Sequence, residues 1–153
     1  MLSELITLLT CDDMQGKELA DAVSRIKASP MDPELDWLEG RSEAEYMQFA
    51  VPAELGGYFA MGDKIDELHE QINEQFADPL PEFPDGFWAA EYFEWLDEEI
   101  AARPAPFEAL LWGNPFDDNL YVFIVGREDT ARILELAGEL GLLVEPATQR
   151  RLI

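Results

Sequence analysis

Side chains that commonly act as nucleophiles, general bases or zinc ligands are scarce in this sequence of 153 residues. It contains one histidine, His69, and one cysteine, Cys11. This excludes a zinc site built on several imidazoles, a cysteine-rich metal site and an intramolecular disulfide within one chain. His69 lies among glutamates, which predicts a solvated or boundary position and leaves a catalytic or pH-sensing role as the alternative. No basic residue lies close to Cys11 to lower its pKa, so we expect a partly buried structural thiol.

A polar segment between two apolar runs, Gly113 to Asn119, offers oxygen ligands to a hard cation. Asn114, Asp117 and Asp118 are ligand types that Ca²⁺ or Mg²⁺ accepts, but their spacing lacks the glycine and the terminal glutamate of a calcium loop. The same residue types favour a turn, because Asn and Asp side chains hydrogen-bond nearby backbone groups and Pro115 presets a turn dihedral. We interpret the segment as a turn between two strands, with a partner-contact loop and a metal site as the alternatives.

Enzymatic signatures outside that segment are weak. With 33 acidic residues, a chance pair of carboxylates within catalytic reach is nearly certain, so their number alone does not indicate an active site. The glycines of "ELGGYFAMGD" have neither the dinucleotide-binding spacing nor the Gly-Lys-Ser/Thr ending of a phosphate loop, and no cofactor is predicted. A carboxylate-based hydrolase assisted by a divalent metal is the alternative function.

The segment "GFWAAEYFEWLDEEIAA", from about Gly86 to Ala102, has the pattern of an amphipathic helix. One stripe is apolar and is expected to face the core: Ala89, Tyr92, Phe93, Leu96 and Ile100. Two tryptophans lie at the border of this stripe beside carboxylates, a composition typical of a binding hot spot for a basic partner. The predicted partner surface is Trp88, Glu91, Trp95, Glu98 and Glu99. The alternative is that both indoles cap the core against another element.

The charge balance is the strongest compositional signal, because 33 acidic and 10 basic side chains give a formal net charge of -23. Nucleic-acid affinity comes largely from Lys and Arg, so we expect no nucleic-acid partner, and an anionic membrane surface is disfavoured for the same reason. Basic proteins or peptides would be attracted and steered instead. The simpler interpretation is that the charge confers solubility.

Composition also predicts a globular, cytoplasmic protein. Apolar residues make up 48% of the chain, too many for a disordered acidic segment. The first residues, "MLSELITLLT", lack a basic leader and a small-residue cleavage site, and no apolar run reaches the length of about 20 residues that spans a bilayer. We expect one globular domain over residues 1–153 and no membrane partner.

The N-terminal part predicts a helical hairpin. Two apolar stripes recur at helical spacing, Leu2, Leu5, Ile6 and Leu9 in the first and Leu19, Ala22, Val23 and Ile26 in the second. Asp13 is the expected N-cap of the second helix, which ends at the prolines of "ASPMDP". After the Gly56–Gly57 break and a short apolar run, Tyr58 to Met61, a further helix is expected with Asp63 as its cap.

Residues 34–51, "ELDWLEGRSEAEYMQFAV", are ambiguous. Their apolar positions fit two strands around a turn at Gly40, although Glu43 to Met47 alone would suit a helix. Aligned without a gap on residues 108–125, this segment places Phe49 on Phe123. A pseudo-repeat of two strand-strand-helix units is therefore a hypothesis, supported by a few identities.

A proline-rich connector at residues 77–86 joins the two parts of the chain, and Asp85 is expected to cap the helix that follows. Two apolar runs, "FEALLW" and "LYVFIV", predict a β-hairpin whose second strand, Leu120 to Val125, is covered on both faces at the centre of the sheet. A helix stopped by Gly141 and a short strand, "LLVE", then suit a right-handed crossover. The predicted fold class is α+β, a small mixed β-sheet flanked by amphipathic helices.

These observations predict a small acidic protein without catalytic activity that acts through protein–protein contacts. An immunity-like or regulatory inhibitor of a basic protein is the sharpest version, because negative surfaces neutralise basic clefts. The sequence leaves the identity of the partner and the oligomeric state open.

Overall fold

Both faces of a four-stranded β-sheet are covered in the structure, a computed structural model that describes residues 1–84, 86, 88–149 and 151. The helices are α1 (Leu2–Leu9), α2 (Gly16–Lys27), α3 (Glu43–Glu54), α4 (Ile65–Glu74), α5 (Ala89–Ala101) and α6 (Thr130–Leu140). The first, second and third 3-10 helices span Ser29–Met31, Pro33–Leu38 and Arg127–Asp129. The strands are β1 (Phe59–Gly62), β2 (Phe107–Trp112), β3 (Leu120–Gly126) and β4 (Val144–Pro146). The predicted α+β class is confirmed.

The strand order is β1-β3-β2-β4, and all three neighbouring pairs are antiparallel. The prediction of a mixed sheet is therefore wrong for the described residues. In the β2–β3 hairpin Leu110 faces Phe123, and β4 lies on the far side of β2, where Leu110 faces Pro146. The crossover from β3 through α6 to β4 thus passes over β2, so two strands that run in the same direction are never neighbours.

Strand β3 is apolar on both faces, as its sequence predicts. Phe123 and Val125 belong to one core cluster with residues of α1, α2, α3 and α6, whereas Val122 and Ile124 belong to a second cluster with residues of α4 and α5. These four side chains are buried, and their alternation follows from the two-residue period of a strand. The helices therefore form two layers: α1, α2, α3 and α6 make the first layer, and α4 and α5 make the second.

The predicted N-terminal hairpin is present, because α1 and α2 pack against each other and bury their apolar stripes. The predicted N-cap of the second helix, Asp13, is wrong. Gln15 occupies the N-cap of α2, and Asp13 instead accepts a hydrogen bond from the Tyr58 hydroxyl. The reason is that the chain first turns through Cys11 and Asp12 with positive φ, which moves the start of the helix beyond reach of Asp13.

The other predicted helix ends have different outcomes. Lys64, not Asp63, occupies the N-cap of α4. Asp85 lies outside the described residues, and α5 begins later than predicted, with Trp88 in the extended conformation of an N-cap. Gly141 ends α6 in the left-handed conformation, with a φ of 75°, which confirms the predicted stop.

The connector at residues 77–86 forms neither helix nor strand in its described part. Neighbouring side chains fix its path. Asn73 Oδ1 accepts a 2.6 Å hydrogen bond from Leu80 N–H, and Arg103 Nη1 donates a 2.6 Å hydrogen bond to the Asp78 carbonyl. Leu80 is buried in the second core cluster, so the connector is part of the second layer.

Residues 34–51 do not form the two predicted strands. The segment is helical, with most of the second 3-10 helix followed by α3. Ser42 and Glu45 form a capping box at the start of α3, in which Glu45 N–H donates a 3.2 Å hydrogen bond to Ser42 Oγ. This local signal outweighs the apolar alternation. The pseudo-repeat is wrong as well, because residues 108–125 span a β-hairpin.

Candidate functional site

The two tryptophans of the predicted partner surface have different surroundings, because Trp88 precedes the first residue of α5 and Trp95 lies within the helix. Trp88 lies at the N-cap and is 78% exposed. Its backbone N–H donates a 3.4 Å hydrogen bond to Glu91 Oε1, which holds that carboxylate at the first turn. Glu91 and Glu98 are exposed, and Glu99 is partly buried. An indole this exposed beside a carboxylate is available for contact with another molecule.

Trp95 packs against the second core cluster instead. Its ring centroid lies 5.9 Å from that of Tyr92, 5.7 Å from that of His69 and 6.4 Å from that of Phe83. These contacts favour the core-capping alternative for Trp95 and leave Trp88 as the accessible indole. A role of this surface in partner binding stays a prediction.

His69 lies at the predicted boundary position and is half-buried. Its Nδ1 is 3.0 Å from the Tyr92 hydroxyl, and its ring is 5.0 Å from that of Phe83. Burial lowers the pKa of His69, and a hydrogen bond with the Pro81 backbone opposes this shift. Burial also raises the pKa of Tyr92. Both shifts favour neutral side chains, which suits a packing role within the second layer.

Cys11 is exposed as a residue, although its Sγ is partly buried against the sheet. It lies in the turn after α1 with a φ of 52°, and its Sγ is 3.5 Å from the Ile124 carbonyl oxygen. Burial of the thiol raises the pKa of Cys11, a hydrogen bond from the Gly126 backbone opposes this, and the charge of Asp129 adds to it. A raised pKa leaves little thiolate at neutral pH, so Cys11 lacks the property that marks a reactive nucleophile.

The segment from Gly113 to Asn119 joins β2 to β3, and its polar side chains hydrogen-bond within it. Asn114 Nδ2 donates a 2.6 Å hydrogen bond to Asp117 Oδ1 and a 2.9 Å hydrogen bond to the Asn119 carbonyl. Asp117 Oδ1 also accepts a 2.8 Å hydrogen bond from Asn119 N–H, whereas Asp118 is exposed. The turn chemistry predicted for the segment is thus present. In the part of the chain that the structure describes, no three His, Cys, Asp or Glu side chains are grouped to hold a metal ion.

A groove that the sequence does not reveal lies between α2, the first two 3-10 helices and α3. We call it the α2–α3 groove. Its volume is about 700 Å³, within the range of about 300–1,000 Å³ that is usual for ligand pockets. Met31, 86% exposed, and Trp37, 51% exposed, line it. Exposed apolar side chains around a concave surface are typical of a binding site.

Trp37 and Phe49 form one wall of this groove, and Phe116 packs against both rings from behind. The centroids of Trp37, Phe49 and Phe116 are 5.0 to 5.7 Å apart, and each pair of rings is nearly perpendicular. Such edge-to-face pairs contribute about 0.5–1.5 kcal/mol each beyond the burial of their area. Because Phe116 belongs to the β2–β3 loop, the wall ties the second 3-10 helix and α3 to the sheet.

The remaining lining of the α2–α3 groove combines Leu35 with small and charged side chains. The small residues are Ala28, Ser29, Ala50 and Ala53, and the charged ones are Arg25, Asp32, Glu34 and Glu54. Arg25 Nε lies 2.9 Å from Glu54 Oε2, so the one cation among the described lining residues already has a carboxylate partner. The groove is therefore apolar inside and acidic in net charge.

Sequence reasoning did not find this groove because three separate segments build it. One signal was available. The segment "ASPMDPELDW" places Met31 and Trp37 between and after prolines, without a helical stripe that would bury them. Large apolar residues in such a segment indicate surface exposure.

Comparisons with known proteins add no assignment, because no family model matches the sequence and neither the curated proteins nor the solved structures gave a significant match. Among the described helices, none has the length and apolar character needed to cross a lipid bilayer.

Proposed function

We propose that this protein is a non-catalytic binding protein that captures a basic polypeptide, as an immunity-like or regulatory inhibitor does. The observation that carries the proposal is the exposed Trp88 at the N-terminus of the acidic helix α5. An exposed indole supplies a large contact area at a small cost in conformational entropy. Tryptophan is also among the residues that most often dominate the binding energy of an interface.

The charge of α5 supports a basic partner. The helix carries acidic side chains and no basic ones between Ala89 and Ala101: Glu91, Glu94, Asp97, Glu98 and Glu99, of which Asp97 is already paired with Arg127. Together with the net charge of -23, they produce a field that attracts cations and repels nucleic acids. An acidic helix placed over a cationic cleft competes with the anionic substrate of that cleft, which is how a basic nuclease would be inhibited.

The proposal includes a cytoplasmic location. A single cysteine, Cys11, forms no intramolecular disulfide, and unpaired thiols are typical of reducing compartments. The basic partner would then be met inside the cell, where an inhibitor of a harmful enzyme is required.

Capture of cationic proteins by the immobilised protein tests the proposal. At low ionic strength we expect a basic protein, identified by mass spectrometry, to be retained and then released by high salt, because salt screens exposed charges. Trp88→Ala should weaken its retention by about tenfold or more, as truncation of a hot-spot residue does. Met61→Ala is the matched control, because it shortens another exposed apolar side chain, 45% exposed, on β1.

Two outcomes would contradict the proposal. If retention of the basic protein does not depend on ionic strength, the acidic charge of this protein does not drive the binding. Equal retention by Trp88→Ala and Met61→Ala would show that Trp88 does not anchor the partner.

A further inference from the structure

We infer that the α2–α3 groove seats the apolar side chains of a basic amphipathic segment of a partner polypeptide. The inference rests on the proposed function, because it names the part of the basic partner that this protein holds. Three properties of the groove carry it: a hollow left by small side chains, exposed apolar walls and an acidic rim.

The hollow depends on the small residues of α3. Ala50 and Ala53 are three positions apart, so they lie on one face of the helix, and both line the groove. Ala50 is buried and Ala53 is exposed, which places the first deeper in the hollow than the second. A large side chain at Ala53 would project into the groove and take up part of its volume of about 700 Å³.

The walls offer apolar surface that no described residue covers. Met31 is 86% exposed and Trp37 is 51% exposed, although both are large apolar side chains. Methionine adapts its shape to different partners because its side chain is unbranched and polarizable. Tryptophan provides a rigid apolar face that often carries much of the binding energy. The walls therefore suit aliphatic or aromatic side chains of another polypeptide.

The acidic residues at the rim of the groove favour a positively charged ligand. Asp32, Glu34 and Glu54 line the groove, and the described cation that lines it, Arg25, is already paired with Glu54. A fatty acid or an acidic peptide would bring a negative charge close to Asp32 and Glu34, which is unfavourable. A lysine or arginine beside an apolar anchor would be attracted instead. Charge complementarity thus favours a basic amphipathic segment over an anionic ligand.

The groove is held open by contacts within the protein. Ser29 Oγ donates a 2.7 Å hydrogen bond to the Ile26 carbonyl, and Asp32 Oδ1 accepts a 3.0 Å hydrogen bond from Glu34 N–H. These bonds fix the first two 3-10 helices, and the Trp37 ring is fixed by its contacts with Phe49 and Phe116. A site that is ordered before binding loses less conformational entropy when it is occupied.

The groove can be tested separately from the surface around Trp88. Helices α2 and α3 belong to the first layer, whereas α5 belongs to the second layer on the other face of the sheet. Substitutions in the groove therefore leave the contacts of Trp88 unchanged, and the reverse is also true.

Fluorescence anisotropy with three labelled peptides of equal length is the test. The first has leucines and lysines at helical spacing, the second has serine in place of leucine, and the third has glutamate in place of lysine. We expect the wild-type protein to bind the leucine–lysine peptide at least about tenfold more tightly than either of the others. Ala53→Phe and Met31→Ser should each weaken that binding by about tenfold, and Met61→Ala, which shortens an exposed side chain outside the groove, should leave it unchanged.

Each other outcome overturns a defined statement. Unchanged binding by both groove variants would overturn the groove assignment but leave the proposed function standing if Trp88→Ala then loses the peptide. If the serine–lysine peptide binds as tightly as the leucine–lysine peptide, apolar contacts do not contribute to binding in the groove. If the leucine–glutamate peptide binds as tightly, the acidic rim does not select a basic segment. Failure of every cationic peptide to bind would overturn the groove inference, whereas the proposed function is decided by the capture experiment with Trp88→Ala. Thermal unfolding checks each variant, and Met31→Ser keeps the test valid if Ala53→Phe does not fold, since Met31 is 86% exposed.

Discussion

The side-chain amide of Gln71 on α4 pairs with both backbone groups of Met61 on β1. Met61 N–H donates a 2.9 Å hydrogen bond to Gln71 Oε1, and Gln71 Nε2 donates a 2.7 Å hydrogen bond to the Met61 carbonyl. Strand β1 is an edge strand whose other side pairs with β3. Gln71 therefore makes the two hydrogen bonds that an added strand would make, and it covers part of an edge at which another chain could pair.

Gln71→Met should destabilise the protein and promote its self-association. The substitution keeps the length of the side chain but removes both hydrogen bonds with Met61. We expect a loss of about 1–2 kcal/mol in the free energy of unfolding, measured by urea denaturation. Light scattering at increasing protein concentration should show association through β1. Glu70→Met on the exposed face of α4 is the control, and a Gln71→Met protein that behaves like it would contradict this role.

Gln48 is buried in α3 and joins two loops at the end of the sheet. Its Nε2 donates hydrogen bonds of 2.8 Å to the Gly113 carbonyl and 3.1 Å to the Leu143 carbonyl, and its Oε1 accepts a 2.8 Å hydrogen bond from Leu143 N–H. Gln48→Leu would remove these bonds, so the buried Gly113 carbonyl and the Leu143 N–H would lose this partner, whereas the Leu143 carbonyl keeps the 2.8 Å hydrogen bond from Gly113 N–H. We expect the free energy of unfolding to fall by about 3 kcal/mol.

Comparison with Gln48→Glu separates the hydrogen bonds from the shape of the side chain. The carboxylate can still accept from Leu143 N–H, but it would face two carbonyl oxygens, and burial would raise its pKa. A raised pKa in the folded state means that stability is retained at low pH and lost as the pH rises through that pKa. Relative to the wild type, Gln48→Glu should therefore be less stable at neutral than at acidic pH. A constant difference across pH would contradict the arrangement.

Trp88 and Trp95 should respond differently to truncation. Trp88 is 78% exposed, so Trp88→Ala should change the free energy of unfolding by less than about 0.5 kcal/mol. Trp95 packs on the rings of His69, Tyr92 and Phe83, so Trp95→Ala should cost about 2 kcal/mol, less than truncation of a fully buried tryptophan. Urea denaturation measures both. Equal losses would mean that Trp88 is a structural residue and would remove the anchor of the proposed interface.

Features predicted correctly from the sequence have local signals. Leu120 to Val125 is apolar at every position, which is the pattern of a central strand covered on both faces, and β3 occupies that place. The end of α6 at Gly141 is equally local, because glycine adopts a left-handed conformation without strain.

Features predicted wrongly depend on competing or distant interactions. Residues 34–51 carry both an apolar alternation and the capping box of Ser42 and Glu45, and only the folded chain shows which signal prevails. The prediction of a mixed sheet is wrong because strand order is a long-range choice that no local pattern contains, and β4 pairs antiparallel with β2. The different exposure of the two tryptophans also depends on distant contacts, because Trp95 is partly buried by the rings of His69 on α4 and Phe83 in the connector.

His69 should make the folded state less stable as the pH falls. Burial lowers its pKa in the folded state below the ordinary value of 6.5, so the unfolded chain takes up a proton first and is favoured below that value. Carboxylates titrate further down, so the informative quantity is the difference between the wild type and His69→Gln, measured by thermal unfolding from about pH 7 to pH 5. We expect His69→Gln to lose less stability over this range.

Tyr92→Phe is the control, because it removes the hydroxyl 3.0 Å from Nδ1 but keeps the ring that buries the imidazole, and it should retain the pH dependence. Identical pH profiles for the wild type and His69→Gln would show that the imidazole stays solvated when the protein folds.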